Sequence, residues 1–509
     1  MTKKAFMTGV VCGAALYAFA VPASAQDDAG TATAPESGKK SDRDAAVQTM
    51  PAWESYGVGG EESLEETFFR LSRDFVSTSE LGVRRLGAVP IWPRGELKFG
   101  PVRILPYLRE ALEYDSNLYF QPDTGDGAKK DGRETGWTHV NELGAMADMA
   151  LAGGRARISA SANSIWSVRY RDDQPDEWTF DSQLGGSYHF PSGFWISGGV
   201  AWERRSDAAD YSDVGRKFAR TNRRGFLNWG FDRDILFGSK AKFEMGVSVR
   251  NVQAREKPFD NIDRQETQFF AKVSYPFWKK TTRVFLLSTY RIDARQSAAL
   301  NDGQTGGLQA GIEGSIPLSE GDGRGIRGQV SMGFDSSLYD NGTYTRGSKR
   351  FVSDPNRRNT SLSFQAALQY VMSSRTTMDL RFLRTNQFSL HGNYQITDRL
   401  DLSASHNFTR KLTGRISAFL EHSDPSGLFN PETVDGPTAQ TRNATPVNTT
   451  GIGTGFRYAY NEWMDFDASF DIQNRNAQEE RSGKDYRGIL GVTVYLNALT
   501  PRPRQGAER

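Results

Sequence analysis

Apolar and polar side chains alternate one by one through segment after segment of this chain, from about Gly100 onward. In residues 156–171, one set of alternate positions is apolar or small and the other set is polar. Because successive side chains of a β-strand point to opposite faces, the pattern predicts strands with one apolar and one water-facing side. The apolar set is Ala156, Ile158, Ala160, Ala162, Trp166, Val168 and Tyr170, and the polar set is Arg157, Ser159, Ser161, Asn163, Ser167, Arg169 and Arg171.

The next segment, residues 178–190, repeats the alternation and places its aromatic residues at both ends. Trp178, Phe180, Tyr188 and Phe190 flank Leu184 on one face. Two membrane interfaces favour this distribution, because aromatic rings concentrate at the boundary between lipid and water. Further runs of this kind are Phe243/Met245/Val247/Val249, Phe269/Ala271/Val273/Tyr275, Ile326/Val330/Met332/Phe334, Leu362/Phe364/Ala366/Leu368/Tyr370 and Leu490/Val492/Val494/Leu496.

The connections between these segments alternate in length. The short turns include Ala152-Gly153-Gly154, Pro191-Ser192-Gly193, Ser373-Ser374 and Thr397-Asp398-Arg399. The longer, charged loops are residues 116–135, 206–220, 255–264, 294–304, 339–358 and 423–449. Short turns on one side and long loops on the other are typical of outer-membrane barrels. A soluble sandwich or propeller also alternates, but has no reason to sort its loops this way.

The strand count follows from length and parity. Roughly 400 residues at about 10 per strand, plus connections, allow roughly 16 to 20 strands, and single-chain bacterial barrels have even numbers. A direct tally gives about 19, because two turn-like pieces, Thr397-Asp398-Arg399 and Thr413-Gly414-Arg415, lie too close together. One of them must lie within a long strand or form a short hairpin. We therefore predict an all-β, transmembrane antiparallel β-barrel of about 18 strands, with 16 as the alternative.

The two ends of the chain are predicted to be targeting and connecting segments. Lys3 and Lys4, the apolar residues 10–21 and the small-residue site Ala23-Ser24-Ala25 predict a secretory signal peptide over residues 1–25. Residues 26–98 are predicted to be a disordered periplasmic lead with one short amphipathic helix near 62–75. The barrel is predicted over 99–497 and a periplasmic tail over 498–509. An even number of strands places both termini on the periplasmic side.

The composition and the motifs limit the kinds of catalytic and metal-binding site that this chain can carry. The one cysteine, Cys12, lies within the predicted signal peptide, so the mature chain has no thiol for disulfides, catalysis or metal ligation. No metalloprotease, hydrolase or phosphate-loop motif occurs, so we predict no enzyme, no catalytic residue, no cofactor and no metal site. A barrel enzyme using His and Asp is the less favoured alternative. The net charge of +2 argues against a nucleic-acid partner.

The polar faces supply the candidate lumen-lining residues. Basic groups modestly outnumber acidic ones, which would suit anionic solutes or an acidic glycan. The alternative is a wall whose charges pair across strands and only hold its shape. The candidates are Arg157, Arg169, Arg171, Asp181, Glu203, Arg205, Lys242, Glu244, Arg250, Lys272, Arg291, Asp293, Arg327, Asp335, Asp379 and Arg381.

Two short motifs resemble one known family, and a third resembles an assembly signal of outer-membrane barrels. Residues 100–120, GPVRILPYLREALEYDSNLYF, form a strand that begins Gly-Pro and ends Tyr-Asp-Ser-Asn, and it is similar to the first strand of the β-barrel porin 2 family of bacterial outer-membrane proteins. The turn-like Ile396-Thr397-Asp398-Arg399-Leu400 also resembles that family. The last segment, Gly491 to Leu496, resembles the terminal signal read by the barrel-assembly machinery, although it ends in Leu496 rather than an aromatic residue. The resemblance implies an outer-membrane pore linked to exopolysaccharide or capsule export.

Three functions remain open on the sequence. The first is the outer-membrane pore of a polysaccharide secretion system, with periplasmic or inner-membrane export proteins as the implied partners. The second is a general diffusion porin for small solutes, for which the loop 423–449 is the candidate inward-folded segment. The third is a structural or adhesive surface barrel. All three place the chain in the bacterial outer membrane, in contact with lipid, lipopolysaccharide and the barrel-assembly machinery. A plugged TonB-dependent transporter is disfavoured, because the segment before the barrel is too short for a folded plug.

Overall fold

A computed structural model supplies the coordinates of the chain. It describes residues 97–116, 135–170, 177–207, 218–231, 241–254, 263–278, 282–295, 302–317, 325–340, 343–346, 349–352, 357–388, 393–426, 446–461, 463–476 and 483–496. Among these residues, no helix is both long enough and apolar enough to cross a bilayer. The predicted signal peptide, periplasmic lead and C-terminal tail lie outside the described residues and stay predictions.

The described chain is almost entirely β-strand, as the two-residue period predicts. A short 3₁₀ turn at Ala152–Gly154 is the one helical element within it. The strands are β1 Leu97–Phe99, β2 Val102–Asp115, β3 Gly136–Leu151, β4 Ala156–Arg169, β5 Glu177–His189, β6 Phe194–Asp207, β7 Phe218–Phe231, β8 Lys242–Ala254, β9 Arg264–Trp278, β10 Thr282–Arg295, β11 Gly303–Pro317, β12 Gly325–Tyr339, β13 Thr343–Arg346, β14 Lys349–Val352, β15 Arg358–Ser373, β16 Thr376–Phe388, β17 Tyr394–Asn407, β18 Leu412–Pro425, β19 Val447–Ala459, β20 Met464–Asn476 and β21 Gly483–Tyr495.

Eighteen of these strands close into one antiparallel β-barrel, which confirms the predicted fold class and strand number. Each strand pairs with its neighbours in chain order, and the ring is closed by β2 and β21 in the register Tyr107↔Tyr495 to Asp115↔Arg487. Closure gives each of the eighteen strands a paired neighbour on both sides over most of its length, so most of their ladder N–H and C=O groups can be satisfied within the wall. Outside the ring, β13 and β14 form a separate hairpin, and β1 pairs with the start of β2.

The β1–β2 hairpin explains the Gly-Pro at the start of the first long strand. Phe99 pairs with Val102, so Gly100 and Pro101 form a two-residue turn. Gly100 has a φ of +61°, a value that glycine adopts without a steric penalty. A primed turn with glycine first matches the twist of the flanking strands.

The barrel has a loop end and a short-turn end, and the difference in connection length agrees with the sequence pattern. The connections at the loop end are 116–135, 170–176, 208–217, 255–263, 296–302, 340–357, 389–393, 426–446 and 477–482. Those at the short-turn end are 152–155, 190–193, 232–241, 279–281, 318–324, 374–375, 408–411 and 460–463. The barrel begins at β2 and finishes at β21 at the short-turn end.

Two of the predicted turns are wrong. Thr397-Asp398-Arg399 lies inside β17, and Thr413-Gly414-Arg415 lies inside β18. The true connection between these strands is residues 408–411, where Thr409 Oγ1 accepts hydrogen bonds from the backbone N–H of Lys411 at 3.1 Å and of Leu412 at 2.9 Å. Counting both turn-like pieces as turns is what raised the sequence tally above 18.

Candidate channel wall

The two faces of the barrel wall differ in chemistry. Large apolar side chains are exposed at alternate positions, as Ile158, Trp166 and Val168 are on β4, while the intervening positions are polar. The apolar face is the outer one, because side chains on the concave face of a barrel shield one another. An apolar exterior and a polar interior are the reverse of a soluble protein, and they suit a wall that stands in lipid.

Every predicted lumen residue whose side chain is described lies on the inner face by strand parity. Two predicted lumen residues have no described side chain. Arg171 lies outside the described residues, and only the backbone of Arg205 is described, which pairs with Arg220 of β7. Those on the inner face are Arg157, Arg169, Asp181, Glu203, Lys242, Glu244, Arg250, Lys272, Arg291, Asp293, Arg327, Asp335, Asp379 and Arg381. That they line an open channel stays a prediction.

Several of these residues form ion pairs or hydrogen bonds within the wall. Arg157 contacts Asp148 at 2.7 Å, and Arg169 contacts Glu177 at 2.5 Å, in both cases across neighbouring strands. The amide of Asn222 donates to Glu203 at 3.1 Å, and Asp379 accepts from Gln369 at 3.1 Å and Ser403 at 3.4 Å. For these residues the geometry supports the structural alternative, in which wall charges pair with each other.

The most buried of these pairs skips a strand. Lys272 on β9 donates from Nζ to Glu313 Oε2 on β11 at 2.5 Å, and the two side chains are 2% and 0% exposed. The pair therefore passes over β10, where the ring of Phe285 lies 4.7 Å from the ammonium group. Phe285 is itself paired with Gly311, whose missing side chain leaves room for the ring.

A second strand-skipping pair closes the barrel. Arg109 on β2 contacts Asp467 on β20 at 2.7 Å, and so reaches across β21. A Cβ on Gly491 of β21 would lie 2.6 Å from the Asp467 carboxylate and 3.0 Å from the Arg109 guanidinium. Glycine at this position therefore makes the pair possible. Arg109 also lies 3.7 Å from Glu142 on β3. Its guanidinium therefore links β2 to β3 on one side and, over β21, to β20 on the other.

The loop end of β8–β10 carries a denser group of charges. Asp293 is fully buried and contacts Arg295 at 3.0 Å and Arg264 at 3.9 Å. Arg264 contacts Glu266 at 2.6 Å, and Glu266 lies 3.7 Å from Arg250. Buried charges need partners of this kind, because burying an unpaired ion away from water raises the free energy of the fold by roughly several kcal/mol.

Sequence reasoning missed three clusters of the inner face. Arg399 on β17 contacts Glu421 at 2.7 Å and Asp401 at 2.8 Å, and lies over the Phe419 ring at 4.5 Å. The other two clusters join Arg457, Asp465 and Tyr495, and Asp115, Asp485 and Arg487. Strand parity was the available signal, since each of these residues alternates with outward apolar positions. Reading residues 397–399 as a turn removed Arg399 from consideration.

Aromatic rings on the inner face lie against glycines of the neighbouring strand. In five direct cross-strand pairs, a Cβ on the glycine would lie within 3 Å of the ring. The pairs are Tyr107↔Gly144, Trp195↔Gly230, Phe226↔Gly199, Phe270↔Gly246 and Phe285↔Gly311. A ring that covers a glycine protects the backbone and adds buried apolar surface, so these pairs reinforce the wall from inside.

Comparison with known proteins gives structural likeness alone. No family model matches the chain, and the comparison with curated proteins also finds no match. Similar solved structures include the outer membrane protein OpdK of Pseudomonas aeruginosa, with 10% identity, 77% of this chain and 99% of that chain covered, and a TM-score of 0.38. A BenF-like porin of Pseudomonas fluorescens has 11% identity, the same coverages and a TM-score of 0.40. A bacterial polysaccharide outer membrane secretin has 10% identity, 77% and 98% coverage and a TM-score of 0.31. Scores this low carry no argument, so the fold rests on the strand pairing itself.

Proposed function

We propose that this chain is an outer-membrane β-barrel channel. The observation that carries the proposal is the closed ring of eighteen strands with exposed apolar side chains outside and charged, hydrogen-bonded side chains inside. A barrel of this strand number is wide enough to leave an aqueous passage unless it is plugged. The division into a loop end and a short-turn end supports insertion with the short turns toward the periplasm.

We further propose that the substrate is a polysaccharide, exported as part of an exopolysaccharide or capsule secretion system. Support comes from the resemblance of residues 100–120 to the first strand of the β-barrel porin 2 family. The wall chemistry is compatible with this substrate, because many inner charges are already paired and would not hold a passing polymer strongly. Hydroxyl, amide and aromatic groups then remain for weak, exchangeable contacts with sugars.

Two measurements test the proposal in sequence. Single-channel recording in planar bilayers should show discrete conductance steps for the purified barrel, and a protein that inserts without conducting would contradict a channel. Deletion of the gene should then abolish surface glycan, as measured by extraction and sugar analysis, and restoration of the wild-type chain should recover it.

A general diffusion porin is the second candidate, and the paired wall supports it as well. Ion pairs such as Lys272–Glu313 leave a nearly neutral lining that would pass small solutes with little selectivity. Normal surface glycan in the deletion strain, together with slower uptake of small solutes, would select this function over export.

A further inference from the structure

The loop-end part of β16 leaves the wall and lies inside the barrel. The ladder between β15 and β16 runs from Ser373↔Thr376 to Phe364↔Arg384 and stops there. In contrast, the ladder between β16 and β17 continues to Phe388↔Tyr394. Residues 385–388 therefore stay attached to β17 but are separated from β15.

Side-chain exposure shows which way this segment has moved. On the lower part of β16, even-numbered residues face outward, and Met378 and Leu380 are 41% and 36% exposed. Asn386 has the same parity but is only 2% exposed, and its side-chain amide donates to Ser337 of β12 at 2.8 Å. Since Ser337 lies on the inner face of β12, the outward side of β16 at Asn386 now rests on the inner wall.

The backbone of Asn386 is held by wall side chains in place of a strand. Continuing the β15–β16 register would pair Asn386 with Leu362. Instead, its C=O accepts from Arg291 Nη2 of β10 at 3.1 Å, and its backbone N–H donates to the Asp335 carboxylate of β12. Both backbone groups that face β15 are thus satisfied by charged side chains, as burial of a strand end inside the barrel requires.

The neighbouring strand end is docked in the same place. Tyr394, the first residue of β17, stacks on Tyr339, the last residue of β12, with ring centroids 5.9 Å apart and planes inclined by 27°. Tyr339 is completely buried. Both strands of the β16–β17 end therefore rest on β12, which makes a second layer inside the wall.

We propose that this inner layer, residues 385–388 with Tyr394 and Gln395, is the constriction of the channel, and that Asn386 with Arg291, Asp335 and Ser337 is the latch that holds it inward. This proposal rests on the proposed channel function. The latch satisfies Asn386 with three side-chain bonds, whereas the alternative state would re-form the ladder with β15. The constriction is thus a movable piece of wall, and its release would widen the passage.

The side of the constriction that faces the passage is neutral and polar. By parity it carries Thr385 and Gln395, while the charged residues Arg291 and Asp335 are occupied in the latch. The narrowest part would then select solutes by size and hydrogen bonding more than by charge.

The test is single-channel conductance of the full-length chain in planar bilayers. The variant Arg291→Ala/Ser337→Ala removes two latch groups, and we expect about a two-fold or larger rise in conductance, because the narrowest segment dominates the resistance of a wide pore. The matched control is Arg283→Ala/Ser274→Ala, which removes the same residue types from the inner wall, where Arg283 donates to Ser274 at 3.0 Å. An unchanged latch variant, or an equal rise in the control, would overturn the proposal.

Two further variants keep the test decisive if the first one fails to fold. Thr385→Trp adds bulk to the constriction and should lower conductance, whereas Thr377→Trp, on the same strand and face but in the intact ladder, should not. Ser337→Cys/Asn386→Cys should be joined by a short bifunctional thiol reagent, because the native Ser337 Oγ and Asn386 Nδ2 atoms lie 2.8 Å apart. Absence of conductance in every barrel would remove the channel function, and the cross-link would still decide whether the latch exists.

Discussion

The buried Lys272–Glu313 pair allows a quantitative test of the inner wall. Lys272→Met removes the cation and leaves a carboxylate that is 0% exposed, with the Phe285 ring 4.7 Å from the vacated ammonium position. Breaking a buried pair in this way costs about 3–5 kcal/mol, because the remaining charge is desolvated without compensation. The attraction alone, roughly 7 kcal/mol at 2.5 Å and an effective dielectric constant of 20, is an upper bound on what is lost.

The double variant Lys272→Met/Glu313→Leu separates the charge effect from packing. Replacing both ions with apolar side chains of similar size is often neutral, or stabilising by about 1–4 kcal/mol. We therefore expect the second substitution to recover the stability that the first one loses. The measurement is the free energy of unfolding from urea titrations in lipid vesicles, followed by tryptophan fluorescence.

A more exposed pair is the matched control. Arg157 and Asp148, also on the inner face, lie 2.7 Å apart and are 21% and 22% exposed. Arg157→Met should cost less than about 1 kcal/mol, because water reaches that pair and screens it. If Lys272→Met costs no more than this control, or if the double variant is as unstable as the single one, the interior near β10 is hydrated and the reasoning is refuted.

Two other predictions concern the closure and the outer face. Gly491→Val should lower the unfolding free energy by about 1–3 kcal/mol, because its Cβ would lie 2.6 Å from Asp467. Gly488→Val on the same strand meets open space and should leave the unfolding free energy unchanged. Equal losses for the two variants in urea titrations would contradict this prediction. Trp202→Phe should reduce the part of the tryptophan fluorescence that brominated lipids quench, because Trp202 is exposed on the outer face. Trp195→Phe should leave that part unchanged, because Trp195 is buried inside. The opposite result would mean that the two faces are assigned the wrong way round.

The overall fold was accessible from the sequence because side-chain alternation reports the face of each residue directly. Residues 156–171 assign the outer positions of β4 correctly, since a strand has a fixed period of two. The strand number followed once an even count was required, but the boundaries of β17 and β18 were not predicted correctly. Thr397 and Arg399 have turn-forming neighbours, yet both are buried on the inner face, and Asp398 pairs with Arg384 across the strands.

The partners within the wall were not accessible in the same way. Alternation places Lys272 and Arg109 on the inner face, but their partners Glu313 and Asp467 lie two strands away, and that distance depends on register and on glycines that leave space. The inward docking of Asn386 depends on side chains of β10 and β12, far away in the sequence. The local pattern in residues 376–388 shows only that the apolar side of the alternation is interrupted after Phe382, since Arg384 and Asn386 take the next two positions of that parity, and it does not identify the partners.

The central claim is that one face of each strand meets lipid and the other meets water, and cysteine scanning of β4 tests it most directly. The single native cysteine, Cys12, lies in the predicted signal peptide, so each introduced thiol can be followed without background. In lipid vesicles, a charged, membrane-impermeant thiol reagent should modify Ser159→Cys and Ser161→Cys, and should leave Ile158→Cys and Ala160→Cys unmodified. Equal modification of all four positions would contradict a barrel that stands in a membrane.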